Sequence, residues 1–241
     1  MATLADDPSD GGEPGPPAAL DEPASDGSRP HRADAVRNRE RLLAAADAVF
    51  SERGLDVGVG EIAQRAGVGR GTLFRNFPCK QDLIAAIVVE RMRDAARAGR
   101  ELLRGGDGKA VFGYIAEIAG RQQGDRALFE AVADTFLANP EIKAAHTEVI
   151  ETLDALLDRA KHDGLVREDI GALDVMIMLK GACAAATAFG ARSDMLERHL
   201  DLVLAAISTP SHPQSLRGSA PTLADLQAPA SQAGVAPIPP R

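Results

Sequence analysis

Apolar residues recur along this chain at helical spacing, without sustained apolar–polar alternation, and that habit restricts the fold to packed helices. Ile142, Ala145, Val149, Leu153, Leu156 and Ala160 step by 3, 4, 4, 3 and 4 residues, which lines one face of a long helix. Leu42, Leu43, Ala46, Val49 and Phe50 follow the same rhythm over about 35–53, and Leu83, Ile84, Ile87 and Val88 over about 80–103. The residue types agree. Alanine and leucine dominate the apolar set, and aromatic residues make up only 3% of the chain. Ala and Leu lose little freedom in a helix, whereas sheets favour β-branched and aromatic side chains. The expected fold class is all-α.

Glycine and proline cut this pattern into segments. Short helices are expected at about 59–66 and 70–76, separated by Gly67-Val68-Gly69, with Gly54 before them and Pro78 after. Further helices are expected at 111–122, 126–138, about 140–163, 173–189 and 194–207, with Asn139-Pro140 and Gly164 as breaks. Residues 1–32 and 209–241 are rich in Pro, Gly and small polar residues and read as disordered tails. The expected organisation is therefore an N-terminal three-helix unit over 33–80, a longer helical region over 81–208, and a tail at each end.

Net charge is −8, which taken alone argues against nucleic acid, but the charge is segregated. Residues 1–28 carry −7, residues 29–104 carry +5, and residues 105–241 carry −6. A basic segment inside an acidic chain is the footprint of a surface that meets phosphates. Cys79 and Cys183 are far apart and fit no metal spacing, so reduced thiols are expected. The five histidines, at 31, 146, 162, 199 and 212, are scattered, and no glycine-rich phosphate loop follows a strand. The sequence thus carries no signature of enzyme activity, metal or cofactor, and none of the three is expected. Its start lacks the basic-then-apolar pattern of a secretion signal. The apolar stretch at 175–190 is interrupted by Lys180 and is shorter than the roughly 20 residues a membrane span needs. A cytoplasmic protein without membrane contact is expected.

The stretch from Glu61 to Lys80 carries the function. Ala63 is small enough for two helices to approach, Gly67 suits a left-handed turn, and Val68 can fill the angle between them. The second helix buries Leu73, with Phe74 or Phe77 beside it, and offers Arg70, Gly71, Thr72, Arg75 and Asn76 outward. Arg pairs with guanine, Asn with adenine, and a Thr methyl meets a thymine methyl in a major groove. Lys80, opening the next helix, can meet a phosphate together with free backbone N–H groups.

These residues resemble the helix-turn-helix of TetR-family transcriptional regulators, through Ile62, Ala63, Ala66, Gly67, Val68, Gly71, Thr72, Leu73, Phe77, Lys80 and Leu83. The clear resemblance covers about 36–93. It implies an Ω-shaped homodimer of about nine helices per chain, with a DNA-binding head and a C-terminal ligand-binding and dimerisation domain. It also implies a pseudo-palindromic operator and, in the usual case, repression released by a ligand. The chain departs from the family pattern at Gly58, Gly69 and Cys79, where Ser, Thr or Asn usually caps a helix, and at Phe74, where a Tyr hydroxyl is usual. Glycine is a tolerated cap but brings no side-chain oxygen. A head that leans on Arg and Lys for its phosphate contacts is expected, with affinity that falls steeply as salt rises.

In the second half, the candidate pocket residues are Phe112, Tyr114, Phe129, Phe136, Met176, Met178 and Phe189, with His146 and Lys180 as polar anchors for a hydrophobic effector. Small residues in the run Gly181–Ala188 and the final helix suggest a dimer face. Its candidates are Gly181, Ala185, Ala188, Leu196, Leu200 and Val203. Two other classes stay open at this point: a non-specific architectural DNA binder and a helical enzyme.

Overall fold

A computed structural model of the chain describes residues 28–135, 138–188, 194–217, 220 and 222. Among them are nine α-helices: α1 (Ser28–Arg53), α2 (Val59–Ala66), α3 (Arg70–Asn76), α4 (Lys80–Gly105), α5 (Ala110–Gly124), α6 (Arg126–Ala131), α7 (Pro140–His162), α8 (Ala172–Ala188) and α9 (Met195–Ile207). No strand occurs among the described residues, beyond one isolated antiparallel bridge between Val166 and Ser208. The all-α expectation is met. The chain divides into compact units at 1–37 and 38–241. Within the first, Arg37 pairs with Asp34 on the opening turns of α1.

The second unit has a continuous apolar core. Leu42, Ala46, Val49 and Phe50 of α1 pack with Ile62, Ala63 and Leu73, and with Phe77 just beyond α3. The same core runs on through Leu83, Ile84, Ile87 and Val88 of α4 to the C-terminal helices. There α4 packs most extensively on α7, and α8 on α9. The α7 stripe behaves as its spacing predicts: Ile142, Ala145, Val149, Leu153, Leu156 and Ala160 are all buried. Asn139 caps this helix, its side-chain oxygen accepting from the Glu141 and Ile142 amides at 2.9 and 3.2 Å, and Pro140 occupies the first turn.

Three expectations need correction. Residues 28–32, expected in a disordered tail, form the start of α1. The helix expected over 126–138 ends at Ala131 and continues only as a 3-10 turn, Ala133–Thr135. The third correction concerns the other tail, where residues 209–217 dock on the helical body. The Arg167 amide donates to the Ile207 carbonyl at 2.9 Å and the Thr209 amide to the Leu165 carbonyl at 3.0 Å. The His212 ring stacks on Phe112 with centroids 5.3 Å apart. Arg217 then reaches α9, donating to Asp201 and Glu197. Composition marks this stretch as linker because its anchors are single residues paired at long range, which no local pattern reveals. Residues 1–27 and 223–241 lie outside the described residues.

Candidate nucleic-acid interface

The bend between α2 and α3 is built by one left-handed residue. Gly67 has φ 67° and ψ 32°, a conformation that side-chain-bearing residues adopt at a steric cost. Its amide donates to the Gln64 carbonyl at 3.1 Å and the Val68 amide to the Ala63 carbonyl at 3.0 Å, which closes α2. Val68 is half-buried against the core beneath the bend, and Gly69 is exposed. The α2 helix is tied to α1 by ion pairs. Arg65 forks onto Glu52 with two contacts of 2.6 Å, and Arg53 pairs with Glu61. The Arg65 fork holds the Glu52 carboxyl below its usual range.

Leu73 anchors α3, and Phe77 rather than Phe74 supplies the second apolar foot. Phe74 is 48% exposed. Arg70, Gly71 and Arg75 are exposed, while Thr72 and Asn76 are half-buried. Asn76 donates to the Thr72 carbonyl at 2.8 Å and Arg75 to the Gly71 carbonyl at 3.3 Å, so both side chains lie along their own helix. The Arg70 guanidinium lies against Gly60 of α2. Arg39 sits 4.6 Å above the Phe77 ring, and Arg41 lies beside the Gly67 turn. The Lys80 ammonium is turned inward, donating to the Leu55 carbonyl with the Phe50 ring 5.8 Å away. Sequence reasoning gives Lys80 a free charge for a phosphate; here that charge closes the loop after α1.

A cap missed by the sequence reasoning appears at α4. Cys79 brings no oxygen, but Asp82 at the third helical position accepts from the Cys79 amide at 3.1 Å. Cys-x-x-Asp is a capping box with the thiol in place of the hydroxyl, a signal present in the sequence.

The ion pairs are distributed unevenly. Every arginine from Arg91 to Arg167 contacts a carboxylate. Arg39, Arg41, Arg70 and Arg75 have no carboxylate partner among the described residues. A short arginine-bearing helix held outward by a bend, with its charge left uncompensated, defines a helix-turn-helix DNA-binding head.

The comparisons with known proteins narrow this class. Residues 42–87 match the model for bacterial regulatory proteins of the tetR family, and residues 107–208 that for the C-terminal domain of SbtR-like transcriptional regulators. The chain belongs to the TetR family of transcriptional regulators, and it is not an enzyme. It is 33% identical over 145 residues to an uncharacterised HTH-type regulator, Rv2250c, of Mycobacterium tuberculosis, covering 58% of this chain and 75% of that protein. It is 31% identical over 153 residues to the transcriptional activator FasR of Mycolicibacterium smegmatis, covering 58% and 67%. Among solved structures, a TetR regulatory protein from Mycobacterium vanbaalenii aligns with a TM-score of 0.56 at 32% identity, covering 75% of this chain and all of that one.

The residues singled out in the C-terminal half fall in different places. Tyr114 is fully buried and its hydroxyl has no hydrogen-bond partner among the described residues; burial pushes its pKa up to about 12. Phe112 is covered by His212, Phe129 and Met176 are partly buried against the core, and Phe136 and Phe189 lie outside the described residues. His146 is half-buried, and burial together with the exposed Lys180 lowers its pKa. Met178 borders a shallow notch of about 240 Å³ with Ala182, His199, Leu202, Val203 and Ala206. Of the dimer candidates, Leu200 is wholly inside the core, and Leu196 and Val203 are nearly so. Ala185 is half-buried, Gly181 is exposed, and the Ala188 side chain is outside the described set. The outward apolar residues of these helices are instead Leu173, Ile177 and Leu202, with Ile177 at 70% exposure. A residue's place on the wheel shows that it faces one direction, but not whether that direction is the core or the outside. Among the described residues, no helix is long and apolar enough to cross a membrane.

Proposed function

We propose that two copies of this chain bind a pseudo-palindromic operator, each inserting α3 into one half-site. In this reading a small hydrophobic molecule in the C-terminal half releases the DNA, so that the protein acts as a cytoplasmic repressor. The observation that carries the DNA reading is the set of uncompensated arginines around the Gly67 bend, against the paired arginines elsewhere. Arg75 and Asn76 leave their intrahelical bonds to meet guanine and adenine edges, while Thr72 and the exposed Phe74 ring offer apolar contact to thymine methyls. Arg70 and Gly71 lie at the start of the same helix, and the α4 N-terminus offers its free backbone amides to a phosphate, the Lys80 ammonium itself being held by the Leu55 carbonyl.

Dimerisation rests on two supports. One seven-residue helix spans few base pairs, so specificity calls for two half-sites about one helical turn apart. Leu173, Ile177 and Gly181 of α8 and Leu202 of α9 are exposed, and they offer apolar surface suited to a second copy. Effector control is supported by the stranded Tyr114 hydroxyl, a buried donor that a ligand could satisfy. The direction of control depends on where the operator lies: among the relatives, FasR is an activator and KstR of Mycolicibacterium smegmatis a repressor.

The test is selection of bound sequences from random duplex DNA, repeated with Arg75→Ala/Asn76→Ala. An inverted repeat enriched by the wild type and lost by the variant is expected. Protein that coats every duplex alike would indicate an architectural binder, and failure to bind at low ionic strength would end the DNA reading.

A further inference from the structure

Arg70 is the first residue of α3, yet its guanidinium ends on α2. A Cβ built on Gly60 would stand 3.0 Å from both Cζ and Nε of Arg70, and closer still to Nη2. The three atoms nearest that Cβ all belong to Arg70. Gly60 lies inside α2 without a positive φ, so its backbone is open to any residue. Glycine in a helix is costly relative to alanine, and what it supplies here is room for the guanidinium. The charges of α2 itself are already engaged. Its two charged side chains both pair with α1: Arg65 forks onto Glu52, and Glu61 meets Arg53. Arg70, by contrast, is exposed and makes no hydrogen bond or ion pair with any described residue.

We propose that Gly60 is a positioning residue: its missing side chain leaves the slot in which Arg70 folds back onto α2, and Arg70 thereby grips a DNA phosphate rather than a base. In a helix-turn-helix the second helix enters the major groove while the first crosses the backbone. A guanidinium that starts on α3 and ends on α2 is therefore carried from the base edges toward the phosphates. It gives α2 the free cation that its own residues do not supply. Such a contact fixes register and orientation without reading sequence, which leaves base reading to Thr72, Arg75 and Asn76. This inference rests on the DNA reading above.

The experiment uses the full chain as wild type, Gly60→Ala, Arg70→Ala and the double variant. Each is melted, and each is titrated across salt concentrations against a random-sequence duplex pool and the inverted repeat selected from it. Arg70→Ala is expected to flatten the slope of log Kobs against log salt by about 1 per half-site. It should weaken both probes alike, by about tenfold per half-site near 0.1 M salt. Gly60→Ala displaces only the far end of an exposed side chain, so it should melt no earlier than the wild type. Its slope should nevertheless shift in the same direction. The double variant should match Arg70→Ala, because the glycine acts only through the arginine. A double variant weaker than Arg70→Ala would mean that the added methyl itself obstructs DNA, which overturns the proposal. So would a Gly60→Ala protein that binds like the wild type or fails to fold. An Arg70→Ala protein with an unchanged slope would overturn it too, whether or not it loses the inverted repeat. A wild type that ignores both probes at low ionic strength sinks the DNA reading itself, and this inference with it.

Discussion

Gly69 illustrates how one side chain can leave an element under-secured. It caps α3 with φ −71° and ψ 149°, a conformation open to any residue, and no side-chain bond closes the helix start. A Cβ placed there meets nothing within 4 Å. Gly69→Ser would add an oxygen for the orphan amides of the first turn and would narrow the freedom of the unfolded chain. The two effects together should stabilise the protein by about 1 kcal/mol. For a chain of this length the melting midpoint should rise by about 2–4 °C, with operator affinity rising in parallel, and a calorimetric scan that finds no gain refutes the account. Tyr114 is the opposite case, since its hydroxyl is buried without a partner among the described residues. Tyr114→Phe removes a group whose desolvation is unrepaid, so urea unfolding of the effector-free variant should show unchanged or higher stability, by up to about 1 kcal/mol.

At the scale of elements, α4 is the beam on which both ends of the second unit are mounted, and Arg91 is its fastening. Arg91 donates through Nε to Asp47 of α1 at 3.1 Å, and Nη1 pairs with Asp125 at the α5–α6 junction. Asp125 is 7% exposed, whereas the Asp47 side chain is 45% exposed. Exposed pairs contribute little and buried carboxylates depend on their cation. Asp125→Asn should therefore cost about 1–3 kcal/mol in urea unfolding and Asp47→Asn less than about 1 kcal/mol; equal losses would contradict this ranking. Arg91 joins residues 44 and 34 positions away in sequence, which is why nothing local announces it. The helices themselves were legible, because their signals are local. Gly54, Gly67, Pro78, Pro140 and Gly164 punctuate a 3.6-residue apolar rhythm, and the observed boundaries fall beside them. The reading helix was legible for the same reason: a turn glycine, a buried Leu73 and exposed arginines lie within ten residues. What escaped was whatever depends on remote partners: the inward turn of Lys80, the burial of Leu200 and the docking of Arg217.

For the molecule as a whole, the arginines form two populations that the sequence charge merges. Those from Arg91 to Arg167 are held by the protein's own carboxylates, so their charge is largely cancelled at a distance. Arg39, Arg41, Arg70 and Arg75 are not, and their field is what approaching DNA meets, despite a net charge of −8. DNA binding releases condensed counterions, and log Kobs falls against log salt with a slope of about −0.9 for each phosphate neutralised. Arg41 is exposed on α1 beside the Gly67 turn rather than on α3, and it is expected to meet a phosphate rather than a base. Arg41→Ala should flatten the slope by about 1 per half-site, or about 2 for a dimer, and weaken all duplexes alike. Arg104, paired with Glu101, supplies the control: Arg104→Ala should leave the slope unchanged although it removes the same formal charge. Titrations of both variants between low and moderate salt separate local, uncompensated charge from total charge. Equal slopes for the two would show that net charge alone sets the affinity, and that the pairing pattern has no bearing on where DNA binds.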